Sequence, residues 1–313
     1  MRKVILMKDN IIKDSYTFAF DIGDKNLKDL IIINTKCLVD DEKQRYVYID
    51  NKRLKDELIY FRFYGEKLEY NNILNILLPV ILSNTNINKS EDEVVNLIQK
   101  YIKYLKKEDF TFDYILGSVL YNIIVQKIVE NKNIEYIDLL QVIKERIIEF
   151  SIELDKVKTI KFQMERIKII QEIDKYIDLK AEDYNDKKIV GSLLNILYDI
   201  YIEDREVPND GIKSIKKSIL SILGEKENND IDNIDFILSM SEYIYKLRNY
   251  KINKKMYDKN VDPRNLISLN EGDTVIDPVL NQITVISKEF SNNILKIDLK
   301  SKSGIYSLKF KKS

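Results

Sequence analysis

The stretch from Tyr243 to Arg264 holds the residues whose types and spacing best suit a binding chemistry. Lys246, Arg248, Lys251, Lys254, Lys255, Lys259 and Arg264 are opposed there only by Asp258 and Asp262, and Tyr243, Tyr245, Tyr250 and Tyr257 are interleaved with them. Cations that neutralise phosphates, set between rings on which bases can stack, are what a single-stranded nucleic-acid surface requires. The competing readings are a solvated helix end and linker with its tyrosines packed inward, or contact with an acidic protein surface, this chain's own segment 181–235 included.

Carboxylate chemistry has less behind it. Asp199 with Glu203 and Asp204, Asp109 with Asp113, and Asp174 with Asp178 each set two acids about one helical turn apart, a spacing that can hold Mg²⁺ or Ca²⁺ if another element adds oxygens. In a chain that is 33% charged, such pairs arise on any solvated helix face, so no catalytic, metal or cofactor-binding residue is assigned and no cofactor is expected. Asp40-Asp41-Glu42 reads as a solvated loop and Asp21-Ile22-Gly23-Asp24 as a turn. Neither a Gly-x-Gly-x-x-Gly nor a Gly-x-x-x-x-Gly-Lys phosphate loop occurs among the 8 glycines.

Composition removes other chemistries. The 313 residues contain no His, which excludes Ser-His-Asp and Cys-His catalysis and any histidine metal cluster. The single cysteine, Cys37, cannot form an internal disulfide; its apolar setting predicts a buried, protonated thiol. The 51 basic residues balance the 51 acidic ones, but only as a sum: acids dominate between 181 and 235 and bases beyond 236. The first residues carry a four-residue apolar run, Val4 to Met7, too short for a signal-peptide core. The longest apolar stretch, Ile76 to Leu82, contains Pro79 and falls far below the roughly 18 residues of a spanning helix, so a cytoplasmic protein without a membrane partner is expected. The abundance of Ile, Lys, Asn, Tyr and Phe matches an A+T-rich genome, which lowers the weight of any one Lys or Asn and raises that of the scarcer Arg.

The elements that must position these residues follow from hydrophobic period. Residues 1–68 read as a β-rich segment: Val4 to Met7, Tyr16 to Phe20, Ile31 to Ile33, Tyr46 to Ile49 and Ile59 to Tyr64 have strand length, with one helix or loop around Leu27 to Leu30. Residues 69–264 read as a bundle of about seven helices. Ser90-Glu91-Asp92-Glu93 resembles a capping box opening a helix through Leu105. Further helices are expected over Asp113 to Glu130, from near Asn133 to Ile177 with a break near Asp155, around Ile189 to Ile200, from Ile212 to Leu223 before Gly224, and from Asp232 to Tyr250. In the second part of the Asn133–Ile177 stretch, Ile160, Met164, Ile167, Ile170, Ile173 and Ile177 form the expected inward face. Residues 265–313 return to period two and predict a small antiparallel β-domain of four strands packed on the helices.

The fold class expected is therefore α+β. With ample surface and little material for chemistry, a non-enzymatic protein-interaction, assembly or regulatory protein with another protein as partner ranks first. A nucleic-acid-binding protein using 243–264 and the C-terminal β-domain ranks second, and a carboxylate- or metal-dependent hydrolase third.

Overall fold

The computed structural model describes residues 2–225, 231–252, 257–259 and 261–311, with side chains from residue 10 onward. The architecture is α+β: a helical body, a two-stranded sheet near the N-terminus and a four-stranded antiparallel sheet at the C-terminus. Helices α1 (Arg2–Phe18) and α2 (Lys25–Cys37) precede β1 (Leu38–Asp41), β2 (Tyr46–Ile49) and α3 (Asn51–Tyr64). A buried 3₁₀ turn, Leu74–Leu77, runs into α4 (Leu78–Ser83), followed by α5 (Ile87–Leu105), α6 (Thr111–Glu130), α7 (Tyr136–Glu149) and α8 (Lys156–Ile177). The body closes with α9 (Ile189–Tyr201), α10 (Asp210–Leu223) and α11 (Ile234–Arg248); the sheet is β3 (Thr274–Asp277), β4 (Asn281–Ser291), β5 (Ile294–Ser301) and β6 (Gly304–Lys311), in sequential order.

The N-terminal segment corrects the expected strands. Of the five runs read as β, Tyr46–Ile49 is a strand, paired with Leu38–Asp41, whereas Val4–Met7, Ile31–Ile33 and Ile59–Tyr64 are helical and Tyr16 to Phe20 is the last turn of α1 and its exit. Local caps decide this: Asp24 Oδ1 accepts from Leu27 N at 2.9 Å to open α2, and Asp50 Oδ1 accepts from Lys52 N and Arg53 N at 3.0 and 3.1 Å to open α3. Leu27 and Leu30 to Ile33 are all buried, so α2 has too little polar face to show a helical period.

The aromatic run on α3 serves the C-terminal sheet. Phe63 packs on Phe310 and Tyr64 on Tyr306, each with ring centroids 4.8 Å apart, and Tyr60 donates to Asp277 Oδ2 at 2.7 Å. Ile297, Leu299, Tyr306, Leu308 and Phe310, the inward half of the period-two pattern, close over these rings.

Helix α6 is the centre of the body. With the turn before it, it is the one described helix long and apolar enough to cross a membrane by length and composition; 83% of that window is buried inside the molecule. Gly117 lets α9 approach, since a Cβ there would stand 3.2 Å from Ile189 and from Leu74. Polar side chains stitch this apolar interior: Tyr101 donates to Asn34 at 2.7 Å, Asn34 to the Ile76 carbonyl at 2.7 Å, and Ser214 to the Ala19 carbonyl at 2.6 Å.

Two helix readings are corrected. Helix α5 opens at Asn86, whose Oδ1 accepts from Asn88 N and Lys89 N at 3.1 Å, four residues ahead of the expected cap. The residues of the expected box turn to tertiary partners instead: Ser90 donates to Asn122 at 2.7 Å, Glu91 takes a two-pronged pair from Arg146 at 2.6 and 2.8 Å, and Glu93 accepts from Tyr46. Helix α8 turns Phe162, Ile169, Ile173 and Tyr176 to the core, while Ile160, Met164 and Ile167 of the expected inward face point to solvent.

Candidate functional site

The described residues of the basic stretch differ in exposure and in partners. Lys246 is exposed and 3.8 Å from Glu242; Lys251 is exposed over the Tyr245 ring; Lys259 is exposed. Tyr250 shares a 3.1 Å hydrogen bond with Thr85, and Tyr257 lies under Arg53, its backbone N–H donating to Asp50 at 3.0 Å. Arg264 forks onto Asp262, two residues away, at 2.7 to 3.0 Å. Lys254 and Lys255 lie outside the described residues. Among the described residues no ion pair joins this stretch to the acidic segment, whose charges are met elsewhere: hydrogen bonds from Lys175 and Lys188 hold the Glu182 carboxyl down at about 2.

Arg248 turns inward. Its Nη1 donates to the carbonyls of Leu82 at 2.8 Å and Asn84 at 2.5 Å, beside Gln126, whose amide donates to the carbonyls of Ile81 at 2.7 Å and Asn84 at 3.0 Å. Both side chains thus satisfy the open end of α4. Burial pulls the Arg248 guanidinium down to about 10, which leaves it charged at neutral pH. It lines a cleft of about 590 Å³ together with Ile12, Ile87, Val129 and Tyr245.

The acids with helical spacing meet cations. Asp199, with a fully buried side chain, accepts from Arg205 Nε at 2.6 Å and from Tyr184 at 2.5 Å, and lies 3.7 Å from Lys216. Lys216 also pairs with Asp204 at 2.5 Å, and Arg205 donates to Asn195 at 2.7 Å. Asp199, Asp204, Arg205 and Lys216 line a cleft of about 520 Å³, so Asp199 and Asp204 do converge, but onto an ammonium. Asp113 caps α9 from α6, accepting from Ile189 N at 2.6 Å and Val190 N at 3.1 Å; Asp174 pairs with Lys144 at 2.5 Å and Asp178 with Lys180 at 3.0 Å. Among the described residues no three His, Cys, Asp or Glu side chains come together as a metal site. Cys37 is buried.

The surface feature that sequence reasoning missed is the outer face of α8. Val157, Ile160, Met164 and Ile167 are 65%, 57%, 57% and 54% exposed, and their spacing of three, four and three residues lines them up along one seam. Lys161, Lys168 and Lys175, seven residues apart, run beside it, and all three are exposed. The signal was available: Phe162, Ile169, Ile173 and Tyr176 form a second apolar stripe nearly opposite the first, and a helix with two such stripes cannot bury both against one neighbour.

Comparison with protein-family models, curated proteins and solved structures gives no match to the chain or to its fold.

Proposed function

We propose that this is a non-enzymatic interaction protein whose docking face is the outer seam of α8, and that its partner is a helix with an apolar seam flanked by Asp and Glu. The observation that carries this reading is the row Val157, Ile160, Met164 and Ile167, each more than half exposed at heptad spacing. Isolated exposed hydrophobes are ordinary; four in register on one helix face are not. Charge selects the occupant. Lys161 and Lys168 hold the flanking position of each heptad, so a second copy packed antiparallel sets Lys against Lys, and a parallel copy sets Lys161 against Lys156 and Lys168 against Gln163. Acidic flanks on a different chain relieve both problems.

The acids elsewhere fit the same reading. Asp199, Asp204, Asp113 and Asp174 each hold cations or cap backbone, which supports structural roles for the pairs that a hydrolase would need. The nucleic-acid reading keeps Lys246, Lys251, Lys259 and Arg264 as exposed cations among the described residues, with Arg248 turned inward.

The test is anisotropy of a labelled synthetic helix with a Leu seam and Glu flanks, titrated with the purified chain, against the same peptide with Lys flanks. Saturable binding of the Glu peptide, at least about tenfold tighter than the Lys peptide and lost in Met164→Glu, supports the reading. Equal binding of both peptides, a concentration-dependent homodimer that Met164→Glu dissolves, or flotation of the chain with anionic lipid vesicles through this face overturns it.

A further inference from the structure

The cleft at Arg248 combines a cation, an apolar wall and unused donors. A guanidinium has five N–H groups in a fixed fork. Arg248 spends its Nη1 on two carbonyls at the end of α4, and its Nε and Nη2 have no protein partner among the described residues. Among the described residues no carboxylate pairs with it. The acid lining the cleft, Glu130, is 68% exposed and pairs with Lys127 at 3.0 Å. A partly buried cation compensated, among the described residues, by carbonyl dipoles is costly, and its desolvation weakens its hold on its proton.

The cleft volume of about 590 Å³ falls within the range of small-molecule sites, about 300–1,000 Å³. Ile12, Ile87, Val129 and Tyr245 give it an apolar side, and Gln126 is held by its own two carbonyls and so is not free to compete. None of the lining residues lies on α8, so this site is independent of the docking face.

We propose that the cleft binds a small organic carboxylate with an apolar body, its two oxygens taking the Nε and Nη2 edge of Arg248 and its body lying against Ile12, Ile87 and Val129. The side edge of a guanidinium matches a planar carboxylate in a two-pronged pair. Inorganic phosphate fits less well, because it has no apolar body to lie against Ile12, Ile87 and Val129.

Calorimetric titration of the full chain near neutral pH with hexanoate, hexanamide and inorganic phosphate tests this. Hexanoate is expected to bind saturably, and hexanamide, of the same length without the charge, at least about tenfold more weakly; phosphate is expected not to bind. Arg248→Met is expected to abolish hexanoate binding, but Arg248 also holds the end of α4, so a folding defect would give the same loss. Thr85→Trp separates the two: Thr85 is exposed at the rim of the cleft, and a ring there blocks entry without touching the carbonyl contacts of Arg248. It is expected to lower hexanoate affinity at least about tenfold with an unchanged melting temperature. No saturable binding of hexanoate, equal binding of hexanamide, preferred binding of phosphate, or full affinity in Thr85→Trp overturns the proposal.

Discussion

Phe162 and Met164, two residues apart on α8, face opposite ways: Phe162 is 2% exposed against the rings of Phe112 and Phe150, and Met164 is 57% exposed on the outer seam. Two residues on a helix are separated by about 200°, so a helix with apolar residues at both positions carries two apolar faces. One is used by the fold and the other is left over.

That division is measurable. Phe162→Ala is expected to destabilise the chain by about 3–5 kcal/mol in urea denaturation, because it empties a packed aromatic site. Met164→Glu is expected to change stability by less than about 0.5 kcal/mol while removing binding of the Glu-flanked helix. Comparable stability losses in the two variants would mean that the outer seam is packed in solution.

Asp29 gives a pH prediction. It lies buried on α2, no hydrogen bond reaches its carboxyl among the described residues, and burial pushes it up to about 6, with Lys25 and Lys36 pulling the other way. A carboxyl raised above its unfolded value of about 4 binds more protons folded than unfolded between about pH 4 and 6, so its contribution to stability falls as pH rises through that window. Asp29→Asn is therefore expected to stabilise the chain above about pH 6, by up to about 2–3 kcal/mol, and to have little effect near pH 4. Burial raises Asp113 to about 6 as well, giving a slope of the same sign, so the informative quantity is the difference between Asp29→Asn and the unsubstituted chain across pH. A difference that does not grow with pH would contradict the assignment.

Asp199→Asn is expected to cost about 2–4 kcal/mol, since it leaves Arg205 and Lys216 without their buried counter-charge. The denaturation midpoint should fall at unchanged slope, and added salt should restore little of it, because the Asp199 side chain is fully buried. A change below about 0.5 kcal/mol would show that Tyr184 and Asn195 suffice to satisfy the cleft.

Removing the tertiary cap on α9 by Asp113→Ala is expected to cost about 1–2 kcal/mol, read from the melting temperature, because Ile189 N and Val190 N lose a shared acceptor. Asp113→Asn keeps an acceptor oxygen and should recover part of that loss. Equal losses in the two variants would place the effect in charge rather than in the cap.

Some of this was legible in residues alone. The bounds of α6 and α10, with Gly224 at φ +104° ending the latter, follow from period and from a left-handed position that glycine adopts without strain. The C-terminal strands follow from alternation, because Ile297, Leu299, Tyr306, Leu308 and Phe310 bury one face and leave the other wet. Helix α2 did not show, because nine of its 13 residues are buried and a segment enclosed on most sides has little period to display. Ser90, Glu91 and Glu93 fit a cap by spacing, yet Asn86 lay close enough upstream to serve, and the fold used the three for Asn122, Arg146 and Tyr46.

By itself, then, the order of amino acids determined the α+β class, the four C-terminal strands, most helix spans and the absence of histidine chemistry, all of which depend on neighbours a few residues apart. Only the tertiary structure decided which of the two stripes of α8 is core, that Arg248 turns inward onto the carbonyls of Leu82 and Asn84, and that Asp199 and Asp204 meet at Lys216. Those outcomes are set by partners far along the chain, such as Phe112 for Phe162 and Leu82 for Arg248, and local period carries no information about which distant surface a side chain will meet.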